Sequence, residues 1–231
     1  MIHLQWLDRN PEAPFPSLDK ALTEPNGLLA AGGDLSVTRL LNAYRHGIFP
    51  WYNEGEPILW WSPDPRCILF PEKIKISRSL KKTIKKKNFT VKLDTAFTDV
   101  IHACAGPRKH QPGTWITNDI YDAYYALHQL GYAHSIECWQ NNELVGGLYG
   151  IAIGQIFFGE SMFSKVPDAS KIALVYLCQY LTEHHFKIID SQVHTHHLES
   201  MGAEMVPRDL FISIVKEYVN QNDNPGKWTI E

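Results

Sequence analysis

Three groups of residues in this chain combine types and spacing suited to chemistry. The first is Gly159-Glu160-Ser161-Met162-Phe163-Ser164, where a carboxylate and two hydroxyls follow an apolar stretch over 144–158. A carboxylate emerging from an apolar sheet is costly to desolvate unless it is paired or used. The second is Asp190-Ser191-Gln192, at the end of a strand expected over 186–190. Alternation puts Asp190 and Gln192 on one face, where an acid and an amide form a candidate proton-handling pair. A strand-end turn or a helix cap would use the same residue types. The third is the basic run 77–87, where Arg78, Lys81, Lys82 and Lys85 make one cationic stripe on a helix and Leu80 and Ile84 face away from it. Such a stripe suits a phosphate backbone, although a solvated helix face looks the same.

Aromatic and imidazole groups stand beside these. Trp51, Trp60, Trp61 and Trp115 sit next to Pro or Gly, where rings can be offered to unpaired bases or can staple two domains together. Trp60 and Trp61 are expected to be mostly structural. His194, His196 and His197 match neither the i, i+4 helical zinc pattern nor a cysteine-containing one, so no metal is expected there.

These groups need a scaffold. Ser36, Val37, Leu40, Leu41, Tyr44 and Gly47 outline one capped helix in a first section otherwise rich in Pro and Gly. The change of texture divides the chain into a small N-terminal domain, 1–64, and a larger one, 65–231. In the larger part the pattern predicts helices over 77–87, 95–104, 118–130, 168–183 and 207–220. Strands are expected over 89–93, 133–139, 144–153, 156–159 and 186–190, with a loop over 106–115. That order implies a mixed α/β (α+β) sheet flanked by helices. On the strand 144–153, Gly146, Leu148, Gly150 and Ala152 share one side, which leaves either a groove or room for a closely packed helix.

Bulk properties narrow the class. At 231 residues, 44% apolar and 20% charged, the chain is an ordinary globular protein. A net charge of −3 means that any nucleic-acid affinity must come from a local patch. Cys67, Cys104, Cys138 and Cys178 form no CxxC pair and suit a reducing compartment. With no signal-like apolar segment at the start and no apolar run near the roughly 20 residues of a membrane span, a cytoplasmic protein is expected.

The segments EPNGLLAAGGDLS (24–36), GIFPWY (47–52), ILWWSPDPR (58–66), GTWIT (113–117), HSIECW (134–139), ELVGGLYG (143–150), GESMFS (159–164) and IDSQV (189–193) together resemble one family. It is the bacterial leucyl/phenylalanyl-tRNA–protein transferases, and the resemblance runs along essentially the whole chain. It implies a small N-terminal domain plus a GNAT-like acyltransferase domain with a mixed, largely antiparallel sheet. The implied activity is transfer of Leu or Phe, with Met as a third donor, from aminoacyl-tRNA to the N-terminal Arg or Lys of acceptor proteins. The product is thereby marked for N-end rule degradation. No metal or coenzyme is implied, and a monomer is expected.

By the same resemblance, Asp190 and Gln192 match the catalytic pair, Asp190 drawing the proton from the acceptor amine and Gln192 relaying it. Glu160 matches an acidic residue of the acceptor site, and Trp51 and Trp115 match aromatics that hold the terminal adenosine. Leu148, Phe157, Leu174, Leu181 and Ile189 match the apolar pocket for the transferred side chain. Arg78, Lys81, Lys82 and Lys85 correspond to the tRNA-binding cluster. An aminoacyl ester is already activated, so the protein need only deprotonate the amine, hold the geometry and stabilise the oxyanion. Two rivals remain. A coenzyme-A acetyltransferase needs a glycine-rich loop that 165–170 lacks, and a plain RNA-binding module leaves Asp190, Gln192 and Glu160 idle.

Overall fold

The computed structural model describes residues 4–86, 88–106, 115–223 and 225–229. The strands are β1 (Gln5–Leu7), β2 (Leu28–Gly32), β3 (Phe49–Pro50), β4 (Leu59–Trp61), β5 (Arg66–Leu69), β6 (Thr90–Leu93), β7 (Ala133–Gln140), β8 (Glu143–Ile153), β9 (Ile156–Ser164), β10 (Ile188–Gln192) and β11 (Glu204–Val206). The α-helices are α1 (Val37–Arg45), α2 (Arg78–Lys85), α3 (Phe97–Ala105), α4 (Asn118–Gln129), α5 (Ala169–Glu183), α6 (His196–Ser200) and α7 (Arg208–Tyr218). Most of the expected loop 106–115, and Lys87 of the basic run, lie outside the described residues.

Helix starts follow side-chain chemistry. The hydroxyls of Ser36, Ser77 and Thr117 accept from the backbone N–H three residues on, opening α1, α2 and α4. Gly47, at φ +71°, turns the chain away after α1.

The first four strands form a sheet in the order β1-β2-β4-β3, and the other seven form a second in the order β11-β5-β10-β9-β8-β7-β6. In the larger sheet only β9 and β10 run parallel. The sheet is therefore mixed and largely antiparallel, as expected. One face packs α5 and α2 through Leu69, Leu148, Phe157, Leu174 and Leu80. The other carries α3, α4 and α7 and continues without a break into the N-terminal sheet and α1, through Ile68, Tyr149, Phe158, Tyr124, Tyr44 and Trp60. The change of sheet between Trp61 and Arg66 lies beside residue 64/65, but the apolar core crosses it.

Several elements differ from expectation. The N-terminal strands went unseen because they span two to five residues and include Pro50, too short for a period-two signal. Trp60 and Trp61 stand on β4, and both are tied down: Trp60 Nε1 donates to the Gly32 carbonyl at 2.9 Å and Trp61 Nε1 to the Trp51 carbonyl at 2.7 Å. β5, β11 and α6 were also not foreseen. β9 runs on to Ser164, paired with β8 as far as Gly146, so Glu160 lies within a strand. β10 begins two residues late and carries Asp190 through Gln192.

The small-residue face of β8 is filled by protein. A Cβ on Gly146 would stand 2.5 Å from Ala169 Cβ of α5, and one on Gly150 would stand 2.2 Å from the Phe158 carbonyl oxygen. These glycines allow close packing and leave no groove. Gly150→Ala therefore forces β8 from β9 and should lower stability by about 1–3 kcal/mol in urea unfolding.

Candidate active site

β9 and β10 pair only from Ile188–Ile156 to Asp190–Phe158 and then part. Beyond that point β9 stays with β8, while β10 bulges between Asp190 and Gln192 to follow β5. A cavity of about 520 Å³ opens in the fork. It is lined by Gly159, Glu160, Ser161 and Met162 from β9 and by Ile189, Ser191 and Gln192 from β10, with Leu174 and Leu177 from α5. Trp51 and Trp115 stand on its wall, and Val193, Thr195, His197 and Leu198 close another side.

Asp190 is fully buried and does not line the cavity. Arg66, equally buried, donates Nε to Asp190 Oδ1 at 2.8 Å and Nη2 to Oδ2 at 2.7 Å. The guanidinium lies 4.8 Å from the Phe49 ring centroid and 4.6 Å from that of Phe211. Asp190 Oδ1 also accepts the backbone N–H of Gln192 at 3.0 Å. Gln192 sits at φ +61°, a left-handed conformation this contact helps to hold. Alternation is lost at the bulge, so the two side chains diverge: Asp190 meets Arg66, and Gln192 reaches the cavity.

There Gln192 Nε2 donates to Glu160 Oε1 at 2.9 Å. Tyr44 from α1 donates to the same oxygen at 2.7 Å, and Tyr124 from α4 donates to Oε2 at 2.9 Å. The two phenol oxygens are themselves 2.5 Å apart. Three oxygen–oxygen contacts thus share two phenolic protons, and a protonated Glu160 supplies the third. Desolvation pushes the Glu160 pKa up to about 7, against the hydrogen bonds from Tyr44, Tyr124 and Gln192 and with some help from the Asp190 charge. Burial, then the Glu160 charge, raises both phenols well above 10, so they remain donors. Glu160 is the one Asp or Glu, and no Lys or Arg stands, among the lining residues.

A family profile described as leucyl/phenylalanyl-tRNA protein transferase matches residues 68–216, and the profile of that family's N-terminal domain matches 33–64. A protein named leucyl/phenylalanyl-tRNA–protein transferase in Nitrosomonas europaea is 61% identical over 94% of this chain and 92% of its own length. One of the same name in Hydrogenovibrio crunogenus is 57% identical over 98% of this chain and 88% of its own. The chain belongs to this family. It is an aminoacyltransferase. Among solved structures, a GCN5-related N-acetyltransferase from Kribbella flavida overlaps 71% of this chain and 58% of its own, with 11% identity and a TM-score of 0.38.

For this transferase the fork gathers most of the expected residues. Glu160, Gln192, Trp51, Trp115, Leu148, Phe157, Leu174 and Ile189 all line one cavity, whereas Leu181 is buried in the core without reaching it. Arg78, Lys81, Lys82 and Lys85 lie exposed on α2, which is anchored by Leu80. Arg66, Tyr44, Tyr124, Met162, Leu177 and His197 were not expected at the site. Tyr44 carried only a helical-spacing signal, and nothing local marked Arg66. His197 Nε2 is buried and has no hydrogen-bond partner among the described residues, while burial, then Lys171, lowers its pKa. His194, His196 and Glu199 do gather, with ligand atoms within 4.8 Å, but they are exposed and Glu199 pairs with both imidazoles. No helix among the described residues is long and apolar enough to cross a membrane.

Removing one partner of a buried ion pair leaves an uncompensated charge. Arg66→Met should cost about 3–5 kcal/mol in chemical denaturation, and adding Asp190→Leu should return most of it. Glu160 gives a second expectation. Its folded pKa of about 7 exceeds the 4.5 of an unperturbed glutamate, so between those values the native state holds a proton that the unfolded chain releases. The associated stability is fully present below 4.5 and is lost as pH rises through about 7, a dependence that Glu160→Gln should abolish in thermal melts.

Proposed function

We propose that this transferase moves Leu or Phe, with Met as a third donor, from aminoacyl-tRNA to the N-terminal Arg or Lys of acceptor proteins, marking them for the N-end rule pathway. The observation that carries this reading is a largely apolar cavity in which Glu160, the one carboxylate among the described lining residues, is held by Tyr44, Tyr124 and Gln192, while burial pushes its pKa up to about 7. The apolar wall of Leu148, Phe157, Leu174 and Ile189 suits the donor side chain, with Trp51 and Trp115 against the terminal adenosine. Glu160 suits a cationic acceptor terminus. The exposed stripe on α2 suits the tRNA backbone.

In this reading Glu160 takes the proton. The acceptor α-ammonium titrates at about 7.7–8.0, close enough to Glu160 for transfer to be nearly thermoneutral. Protonation also completes the Tyr44–Tyr124–Glu160 ring of hydrogen bonds. The freed amine attacks the ester carbonyl, the bond to the ribose oxygen breaks and that oxygen takes the proton held by Glu160, while the second proton of the attacking nitrogen passes to the vacated carboxylate and on to solvent. Gln192, its amide nitrogen committed to Glu160, offers its carbonyl oxygen to orient the amine. Asp190, both oxygens held by Arg66, acts by fixing the Gln192 backbone and not as the direct base.

The decisive experiment combines leucyl-tRNA with a peptide beginning in Arg and follows the Leu-Arg product. Absence of transfer by the intact protein overturns the function. Glu160→Gln should slow transfer by about 10²–10⁴-fold. The wild-type kcat/KM should rise with pH through about 7 as Glu160 ionises. In the variant only a rise near the acceptor amine, about 7.7–8.0, should remain. A limb near 7 that survives the substitution removes Glu160 as the base.

A further inference from the structure

The segment 225–229 has no part in the reading above, yet its Trp228 lies only 9% exposed behind the cavity. Two backbone bonds dock it. Gly226 N–H donates to the Gly131 carbonyl at 3.0 Å, and Trp228 N–H donates to Asp94 Oδ2 at 2.8 Å. Gly131 is at φ +78°, and a Cβ there would stand 2.4 Å from Gly226 N, so a side chain at 131 would lift the segment away. Asp94 is itself fixed, taking Ser135 N–H at 2.9 Å on Oδ1 and facing His134 Nδ1 at 2.8 Å through Oδ2.

The indole is clasped by aromatic rings. It stacks on His134 with centroids 3.9 Å apart and planes 7° from parallel, and its centroid is 4.6 Å from Tyr180 and 5.9 Å from Phe186. Its remaining aromatic neighbour is Phe157, at 5.8 Å. Phe157 lines the cavity and Trp228 does not, so the indole packs beside Phe157 from outside the cavity.

We propose that Trp228 sets the depth of the donor side-chain pocket by holding Phe157 forward, and so selects among transferred amino acids without touching them. This rests on the proposed function, because it assigns the pocket to the donor side chain. Replacing the indole with a methyl group lets Phe157 fall back and lengthens the pocket, which favours Phe over the shorter Leu. Pocket contacts of this size discriminate by about 10–200-fold.

The test compares kcat/KM for phenylalanyl-tRNA and leucyl-tRNA, with one Arg-initiated peptide as acceptor, in wild-type protein, Trp228→Ala and Trp228→Phe. The Phe/Leu ratio is expected to rise about ten-fold or more in Trp228→Ala and by less in Trp228→Phe. A merely structural role would lower both rates together and leave the ratio within about two-fold; that result, in folded protein judged by thermal melting, overturns the proposal. Failure of both variants to fold assigns Trp228 to the core alone and overturns it equally. Wild-type protein that transfers neither amino acid strikes at the functional reading itself, whereas an unchanged ratio beside an active wild type strikes only at Trp228.

Discussion

Arg66 and Asp190 hold opposite charges at full burial, one on β5 and the other on β10, at the point where β10 leaves β9. Two desolvated charges are tolerable only when geometry and extra hydrogen bonds repay the loss of water. Here the contact is bidentate, the guanidinium lies near the rings of Phe49 and Phe211, and Asp190 also takes the Gln192 N–H. Phe49 comes from the N-terminal sheet and Phe211 from α7, so the pair knits three parts of the molecule together. It also fixes the bulge that turns Gln192 away from Asp190.

What the fork encloses is electrostatically simple. One carboxylate faces a mostly apolar cavity and keeps its proton more readily than a solvated acid would, because desolvation outweighs its three hydrogen bonds. Its partners come from α1, α4 and β10, which ties the proton affinity of the site to how the N-terminal section sits on the sheet. The stripe of Arg78, Lys81, Lys82 and Lys85 stands elsewhere, exposed on α2.

Much of this was legible in the chain, and the exceptions have physical causes. Helices α1 and α5 announced themselves through apolar spacing, α1 with a capping serine as well, and α2 through its one-sided cationic stripe, all of them local signals. Glu160 stood out because a carboxylate beside apolar strands is expensive. Arg66 did not stand out, since nothing within a few residues shows that an arginine will be buried against a partner 124 positions away. The alternation that placed Asp190 and Gln192 on one face failed because a bulge resets the period, and bulges answer to neighbouring strands. The glycines of β8 were equally ambiguous in sequence; the approach of Ala169 and Phe158 decided them. Trp228 carries no local signal because its contacts are with His134, Tyr180 and Phe157, all far from it in the chain.

The sequence by itself determined the family, the mixed α/β class and the identity of eight of the twenty residues that line the cavity, because motifs, caps and hydrophobic period are written in short stretches. The tertiary structure alone decided which carboxylate faces the cavity and which is locked in the core, and what lies behind the pocket wall. Those outcomes turn on burial and on the pairing of charges and rings across more than a hundred residues of chain, for example Asp190 with Arg66 and Tyr44 with Glu160. Desolvation is a property of the assembled surroundings, so the same carboxyl group becomes an anchor at 190 and a titrating acid at 160.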